Sequence, residues 1–293
     1  MAPTVWAVNI AQWNTEPYSR IQPRDAPPSD EVCTQFGRDL DALVRPYDAT
    51  GADKVLRYLR VVDRVRSFVA RILPRLYCVH EGLRWEDVQV HTAPGGRPYL
   101  ALDDRYIDFN LSHDGDWVVM GVTKTPGVRM GVDVMEVALP SFEESSASFC
   151  QTMEQSMTAK ERGHVLLDDN EQRILQRLLD VWTYKEAYTK SIGVGLGYDF
   201  RQVEVAFWKE PIEVWSHGKQ VEAIQWTQVR LPPAREGAAP SQVVIAMDGS
   251  KEPRRTISGA EDAAKHGWLR IWSYDALVHA AHEAQRRGPS PAD

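Results

Sequence analysis

The stretch that decides how this chain folds reads Trp182-Thr183-Tyr184-Lys185-Glu186-Ala187-Tyr188-Thr189-Lys190 and continues as Ser191-Ile192-Gly193. It predicts the second half of a helix that begins near Glu171 and ends near Ser191. Glu186 and Lys190 are four residues apart, so their side chains leave the same face of that helix. A carboxylate and an ammonium held there could anchor a metal ion and move a proton. The simpler interpretation is an exposed ion pair that contributes about 0.3–0.5 kcal/mol.

The composition argues against several classes of protein. The chain has 293 residues and a formal net charge of −7, which argues against general nucleic-acid binding. Its three cysteines are widely spaced, so they predict neither a disulfide framework nor a metal-ligand motif. The N-terminus lacks a basic region followed by an apolar run, and no window is apolar enough to span a bilayer. We therefore expect a cytoplasmic protein that binds no membrane.

Hydrophobic spacing predicts a mixture of helices and strands. A strand is expected from Val5 to Trp13, and a long helix from about Lys54 to Val79 that Pro74 bends or divides. Segments 117–123 and 129–135 both have strand character, and the turn between them suggests an antiparallel pair. Strands of a second sheet are expected at Arg201–Trp208, Ile212–Ser216, Ala223–Val229, Gln242–Met247 and Trp268–Trp272.

The order of these elements predicts an α+β protein with two halves. A strand, then helices, then further strands occurs twice along the chain, and the two runs meet near residues 124–128. We therefore expect an N-terminal half at 1–125, a C-terminal half at 126–287 and a mobile tail at 288–293.

The predicted long helix carries charge of one sign. Between Lys54 and Arg75 the sequence contains seven basic residues, Arg66 among them, and one acid, Asp63. A solvated helix face is the default explanation. A small polyanionic ligand would also suit such a stripe, through bonds between arginine and phosphate.

Two segments downstream contain side chains suited to phosphate chemistry. The glycines and proline of Gly95-Gly96-Arg97-Pro98 predict a tight loop that presents Arg97. His113 ends a strand-like run next to Ser112. An imidazole there can donate to a phosphate or accept a proton, although a lone histidine is more often structural.

An acid also interrupts an apolar strand, Gly131-Val132-Asp133-Val134-Met135. Burying the Asp133 carboxylate is costly unless it has a partner, and a divalent cation would supply one. Side chains alternate along a strand, so Met135 shares the face of Asp133 while Glu136 points the other way. Asp133 is therefore the single acid of this strand expected to face a metal.

Taken together and in this order, these segments resemble the 4′-phosphopantetheinyl transferases of the surfactin-synthetase-activating (Sfp) type. The strings concerned are Gly96-Arg97-Pro98, Phe109-Asn110-Leu111-Ser112-His113, Gly131-Val132-Asp133 and Trp182 to Lys190, within a matched region from about Lys54 to Val205. The resemblance implies two similar halves related by a pseudo-twofold axis, with coenzyme A in the cleft between them. One cleft built by two halves is consistent with a monomer.

The resemblance also implies the reaction and its partners. The chain would transfer the 4′-phosphopantetheine arm of coenzyme A to a serine of an acyl or peptidyl carrier protein and release adenosine 3′,5′-bisphosphate. The carriers would belong to fatty-acid, polyketide, nonribosomal-peptide or lysine-pathway enzymes. We expect the segment from Ser141 to Thr158 to dock the carrier.

Residue roles follow from the same resemblance. Asp133 and Glu186 match the metal ligands, for Mg²⁺ or Mn²⁺. The positions that match contacts to coenzyme A are Arg66, Arg97, Ser112, His113, Lys185 and Lys190. Chemically, Glu186 is the best base for the serine hydroxyl, while Lys190 and His113 can stabilise charge on the leaving group.

One departure from the family pattern leaves two alternatives open. Many bacterial members carry a second acid two residues after the aspartate, where this chain has Met135. The same replacement is typical of eukaryotic, broad-acting members, and it favours that kind. The alternatives are a catalytically inactive module that binds coenzyme A or a carrier, and a metal-dependent phosphohydrolase that uses Asp133 and Glu186.

Overall fold

A computed structural model gives the chain an α+β architecture, as the sequence predicts. It describes residues 3–15, 31–93, 96–102, 105–167, 170–194, 197–210, 212–250 and 255–287. The tail expected at 288–293 lies outside these ranges. None of the helices in the described part combines the length and the apolar character that crossing a bilayer requires.

Within the described ranges the strands form three sheets. The first has the order β13-β1-β5-β4-β3-β2, the second β12-β10-β11-β6 and the third β7-β8-β9. The strands are β1 (Thr4–Asn9), β2 (Val90–Thr92), β3 (Pro98–Leu102), β4 (Arg105–Asp114), β5 (Trp117–Thr123), β6 (Arg129–Glu136), β7 (Val203–Ala206), β8 (Glu213–Ser216), β9 (Lys219–Gln220), β10 (Ile224–Leu231), β11 (Ser241–Asp248), β12 (Arg255–Gly259) and β13 (Leu269–Ser273).

Most of the helices cover the outer faces of the two larger sheets. The helices are α1 (Glu31–Leu43), α2 (Ala49–Leu56), α3 (Val61–His80), α4 (Ser146–Thr152), α5 (Ala159–Val165), α6 (Glu171–Ile192), α7 (Ala260–Lys265) and α8 (Tyr274–Arg286). Helices α1, α3 and α8 share one hydrophobic cluster with the first sheet, and α6 shares another with the second. A third cluster lies between the two sheets, with Val119 of β5, Val132 of β6 and Ala263 of α7 among its members.

The helix expected at Lys54–Val79 is two helices, α2 and α3. The chain leaves the helical conformation between Leu56 and Val61, whereas Pro74 lies inside α3 without ending it. Proline removes one backbone N–H from a helix, but most helical stability in proteins comes from packing of the apolar face. Here Ile72 and Tyr77 are buried in the first cluster, on either side of the proline along the helix.

The prediction that segments 117–123 and 129–135 pair with each other is wrong. Strand β5 lies between β1 and β4, whereas β6 pairs with β11 at the edge of the second sheet. Both segments are strands, but alternation along a strand does not specify its neighbour. The chain instead passes from one sheet to the other at residues 124–128.

The last strand and helix return to the first sheet. Strand β13 pairs with β1 in parallel, and Leu277 of α8 is buried in the cluster of the first sheet. The segment Trp268–Trp272, expected in a second sheet, therefore belongs to the first. A sequence division at residue 126 does not anticipate this return, because it follows chain order rather than pairing.

Side chains of β4 occupy the free edge of β6. The β6 backbone N–H groups of Met130, Val132, Val134 and Glu136 donate to the side chains of Asp108, Asn110, Ser112 and Asp114, at 2.5, 2.9, 3.3 and 2.8 Å. The donors along β6 and the acceptors along β4 are each spaced two residues apart, which is the period at which side chains on a strand share one face. We call these four bonds the β4–β6 ladder; it joins the part of the molecule built on the first sheet to the part built on the second, and these two parts are the halves of the molecule.

Gly131 allows α6 to lie directly against β6. A Cβ atom at this position would stand 1.9 Å from the carbonyl oxygen of Ala187 and 2.5 Å from the backbone nitrogen of Ser191. Neither backbone atom can move without shifting the helix. A glycine is therefore needed here for close packing, and that packing brings the last turns of α6 to the strand that holds Asp133.

We expect Gly131→Ala to lower the free energy of unfolding by about 1–3 kcal/mol, because the added methyl group forces α6 and β6 apart. Gly163→Ala is the matched control: Gly163 is exposed in α5, and a Cβ there meets nothing within 4 Å. The control should be neutral or slightly stabilising. Urea unfolding followed by circular dichroism measures both, and equal stabilities of the two variants would contradict the close-packing argument.

Candidate active site

Helix α6 begins and ends as its sequence predicts. The side chain of Asn170 accepts a hydrogen bond from the backbone N–H of Arg173 at the N-terminus. At the C-terminus Gly193 has φ of 77°, a left-handed conformation that glycine adopts readily. Gly193 therefore caps the C-terminus of α6.

Lys190 joins the two acids that are distant in sequence. Its Nζ donates to Asp133 Oδ1 at 2.7 Å and lies 3.9 Å from Glu186 Oε2. Asp133 and Glu186 are almost fully buried, while about a quarter of the Lys190 side chain is exposed. The structure thus brings the two expected metal ligands and the expected catalytic lysine together between β6 and α6, in a partly exposed cluster of Asp133, Glu186 and Lys190 that we call the crevice.

Ser112 completes this cluster from β4. Its hydroxyl donates to Asp133 Oδ1 at 2.9 Å and accepts a hydrogen bond from Lys190 Nζ at 3.1 Å. The same oxygen accepts the backbone N–H of Val134 as part of the β4–β6 ladder. Ser112 therefore connects the join between the halves to the charged groups of the crevice.

Each acid of the cluster keeps one oxygen without a partner. Among the described residues nothing hydrogen-bonds to Asp133 Oδ2 or Glu186 Oε1, although both atoms are buried. Burial raises the pKa of the Asp133 carboxyl, against the opposing effects of Lys190 and Ser112. Burial also raises the pKa of Glu186, which Lys190 opposes and the Asp133 charge reinforces. The crevice therefore holds more buried acid than one ammonium satisfies.

These two acids fit a hard divalent cation. Mg²⁺ is commonly held by one or two carboxylates together with water and phosphate oxygens. No cluster of three or more His, Cys, Asp or Glu side chains suited to a metal occurs in the described ranges, so Asp133 and Glu186 would act as a pair. Met135 packs against the hydrophobic cluster around α6, on the face of β6 that also carries Asp133.

His113 and Arg66 lie at the end of β4 near this crevice. Arg66 donates to Asp63 at 2.9 Å and to the carbonyl of Gly115 in the turn that follows β4. The pKa of His113 is lowered by partial desolvation of its ring and by the positive charges of Arg66 and Lys190. Because His113 is exposed to solvent, the two cations lower its pKa more than desolvation does.

Arg97 occupies the join between the halves instead of a free loop tip. It forms a bidentate ion pair with the buried carboxylate of Asp108. It also donates to the backbone carbonyls of Met130 and Lys190. The structure therefore places Arg97 next to the crevice but with most of its donors engaged by protein.

Lys185 lies apart from Lys190, in the core of the C-terminal half. Its Nζ donates to Glu161 at 2.7 Å and to the carbonyls of Ser156 and Phe200 at 2.9 and 3.0 Å. Both Lys185 and Glu161 have side chains that are 0% exposed. An ammonium has three donors, and all three are used here.

Sequence reasoning misses the residues that hold the site together. Asp108, Asn110 and Asp114 escape notice, although with Ser112 they form a period-two polar series that marks one face of a strand. Glu161 also escapes notice, because nothing local shows that a surface-type residue will face Lys185.

Comparison with known proteins relates both halves to one kind of enzyme. Residues 129–244 match the profile of the 4′-phosphopantetheinyl transferase superfamily, and residues 37–125 match that of the 4′-phosphopantetheinyl transferase N-terminal region. The two matches meet at the passage between the sheets. Together they include Arg66, Arg97, Ser112, His113, Asp133, Lys185, Glu186 and Lys190.

Individual relatives are also named as phosphopantetheinyl transferases. A 4′-phosphopantetheinyl transferase of Paxillus involutus is 34% identical over 176 residues, which cover 57% of this chain and 67% of the relative. A phosphopantetheinyl transferase of Thraustochytrium is 33% identical over 54% of this chain and 60% of its own length. The L-aminoadipate-semialdehyde dehydrogenase-phosphopantetheinyl transferase of Mus musculus is 26% identical over 52% of this chain. The chain spans between half and two-thirds of the length of these three relatives.

We expect Lys185→Met to lower the free energy of unfolding by about 3–5 kcal/mol, because it leaves the Glu161 carboxylate buried without its cation. The double variant Lys185→Met with Glu161→Gln removes that charge and should recover part of the loss. Lys160→Met is the control: the Lys160 side chain is 55% exposed and that of its partner Glu204 is 25% exposed, so the change should be below about 1 kcal/mol. Urea unfolding measures all three, and a stability of Lys185→Met equal to that of the control would show that the pair does not support the core.

Proposed function

This chain belongs to the 4′-phosphopantetheinyl transferase superfamily, and we propose that it transfers the 4′-phosphopantetheine arm of coenzyme A to a serine of a carrier protein. The observation that carries the proposal is the crevice in which Asp133, Glu186 and Lys190 meet. Two acids that each keep an oxygen without a partner in the described structure, together with a partly exposed ammonium, suit a ligand that brings both a cation and phosphate oxygens.

Asp133 and Glu186 are the residues that would hold Mg²⁺ or Mn²⁺. Their unpartnered oxygens, Asp133 Oδ2 and Glu186 Oε1, support this assignment, because a buried carboxylate oxygen without a partner is costly. When bound, the cation supplies positive charge to the diphosphate of coenzyme A. Met135 supplies no oxygen ligand, so the protein would contribute two carboxylates rather than three.

Glu186 is the proposed general base. The serine oxygen of the carrier attacks the phosphorus that bears the pantetheine arm, and the serine proton passes to a Glu186 oxygen. The bond from that phosphorus to the bridging oxygen breaks, and adenosine 3′,5′-bisphosphate leaves. Glu186 has a second carboxylate oxygen besides Oε1, so it can accept the proton while Oε1 holds the cation.

Lys190 and His113 are the proposed partners of the leaving group. Lys190 is the more exposed member of the crevice and can donate to the oxygen on which negative charge develops. The lowered pKa of His113 keeps its ring neutral near pH 7, so it would donate a hydrogen bond without a full charge. We assign Arg66, close to His113, to the nucleotide phosphates.

The surface that receives the carrier is proposed at the segment from Ser141 to Thr158. Phe142 is 76% exposed there, and α4 follows it and packs against α6. An exposed aromatic side chain shortly before α4, which packs against the helix that bears Glu186, suits the docking of a partner whose serine must enter the crevice. The cytoplasmic location, the monomeric state and the identity of the carrier stay predictions.

The test is incubation of the protein with coenzyme A, Mg²⁺ and several apo carrier proteins, followed by intact mass measurement. We expect at least one carrier to gain one phosphopantetheine. Glu186→Gln should slow this transfer by about 10²–10⁴-fold, because the base is lost while the shape of the side chain is kept. Glu222→Gln, in an exposed segment, is the matched control and should transfer normally.

Other outcomes identify the alternatives. Binding of coenzyme A without any modified carrier would favour an inactive binding module. Cleavage of coenzyme A in the absence of a carrier would favour a phosphohydrolase. Normal transfer by Glu186→Gln would show that Glu186 is not the general base, without contradicting the transferase function.

A further inference from the structure

We propose that Arg97 and Asp108 form a positioning pair that sets Lys190 in place beside Asp133, and that Arg97 does not itself bind coenzyme A. The inference rests on the proposed transferase function, whose site it deepens. It assigns to Arg97 a different role from the coenzyme A contact that the family resemblance implies.

The first observation is the buried geometry of the pair. Arg97 Nε donates to Asp108 Oδ1 at 2.8 Å, and Arg97 Nη2 donates to Asp108 Oδ2. The Asp108 side chain is 1% exposed and that of Arg97 13% exposed. A bidentate arginine–carboxylate pair fixes orientation as well as distance, and removal of one partner leaves an uncompensated buried charge.

The second observation is what the pair holds. Asp108 accepts the backbone N–H of Met130, and Arg97 donates to the backbone carbonyl of the same residue. Arg97 Nη1 donates to the backbone carbonyl of Lys190. Met130 lies three residues before Asp133, so one guanidinium links the strand that bears Asp133 to the residue that contacts it.

The third observation is the count of donors. A guanidinium has five N–H groups, and four of those in Arg97 point to protein acceptors: two on Asp108, one on Met130 and one on Lys190. A phosphate that engaged Arg97 in a bidentate manner would have to break part of this network. The same network explains why a guanidinium suits this position better than an ammonium with three donors.

The effect expected on the reaction follows from the sensitivity of catalysis to position. Lys190 Nζ and Asp133 Oδ1 are 2.7 Å apart, and a displacement of about 1 Å in such a site can cost on the order of 100-fold in rate. Loss of the pair should therefore lower kcat. It should change KM for coenzyme A little, because no direct contact is removed.

The experiment compares Arg97→Met, Arg97→Lys and Asp108→Asn by steady-state transfer, at a temperature at which circular dichroism shows each variant folded. We expect all three to lower kcat by about 10–100-fold, with KM for coenzyme A within about threefold of the unaltered protein. The double variant Arg97→Met with Asp108→Asn should be no slower than the slower single variant, because each substitution already disrupts the same ion pair.

Arg84 and Asp87 provide the control pair. They form a bidentate ion pair of the same kind on the surface, with Nε–Oδ2 of 2.6 Å and both side chains more than 40% exposed. Arg84→Met and Asp87→Asn should leave kcat and KM unchanged. A KM raised tenfold in Arg97→Met, largely restored in Arg97→Lys and normal in Asp108→Asn, would overturn the proposal and make Arg97 a ligand contact.

A crystal structure of Arg97→Met separates this inference from the transferase proposal. We expect Lys190 Nζ to lie beyond hydrogen-bond distance of Asp133 in the variant while the unaltered protein keeps the contact. Retention of the contact in the variant would overturn the positioning role, whether or not either protein transfers phosphopantetheine. Failure of the unaltered protein to modify any carrier would instead count against the transferase function alone.

Discussion

The β4–β6 ladder is the constraint on which the rest of the structure depends. An edge strand normally leaves alternate N–H groups open, and a buried N–H without an acceptor costs about 1–3 kcal/mol. In this protein the side chains of Asp108, Asn110, Ser112 and Asp114 take the place of a neighbouring strand along β6. A slip of one residue would point every acceptor away from β6, so the ladder fixes one alignment of the two halves.

The candidate active site is a consequence of that alignment. Ser112 belongs both to the ladder and to the charged cluster, so the position of Asp133 relative to β4 is set by the same bonds that join the sheets. On the opposite side, Gly131 lets α6 approach β6 until Lys190 reaches Asp133. Three elements that are far apart in sequence therefore meet within hydrogen-bond distance.

Local features were the ones that the sequence could predict. The bounds of α6, its Gly193 cap and the shared face of Glu186 and Lys190 depend on residues within a few positions of one another. The partners of β5, β6 and β13 could not be predicted in this way, because pairing is decided by distant edges. The ion pairs of Lys185 and Arg97 could not be predicted for the same reason, because their acidic partners, Glu161 and Asp108, lie 24 and 11 residues away.

The two lysines of α6 show why residue type and helix position alone do not define a functional site. Lys185 and Glu161 are fully enclosed, and every donor and acceptor of the pair has a protein partner. Lys190 also pairs with a buried acid, but it remains partly exposed and leaves oxygens of both neighbouring acids without a partner in the described structure. A satisfied buried network stabilises one conformation, whereas a partly satisfied one gains further stability from an added ligand. Five residues apart on one helix, the first pair therefore suits a structural role and the second suits binding and catalysis.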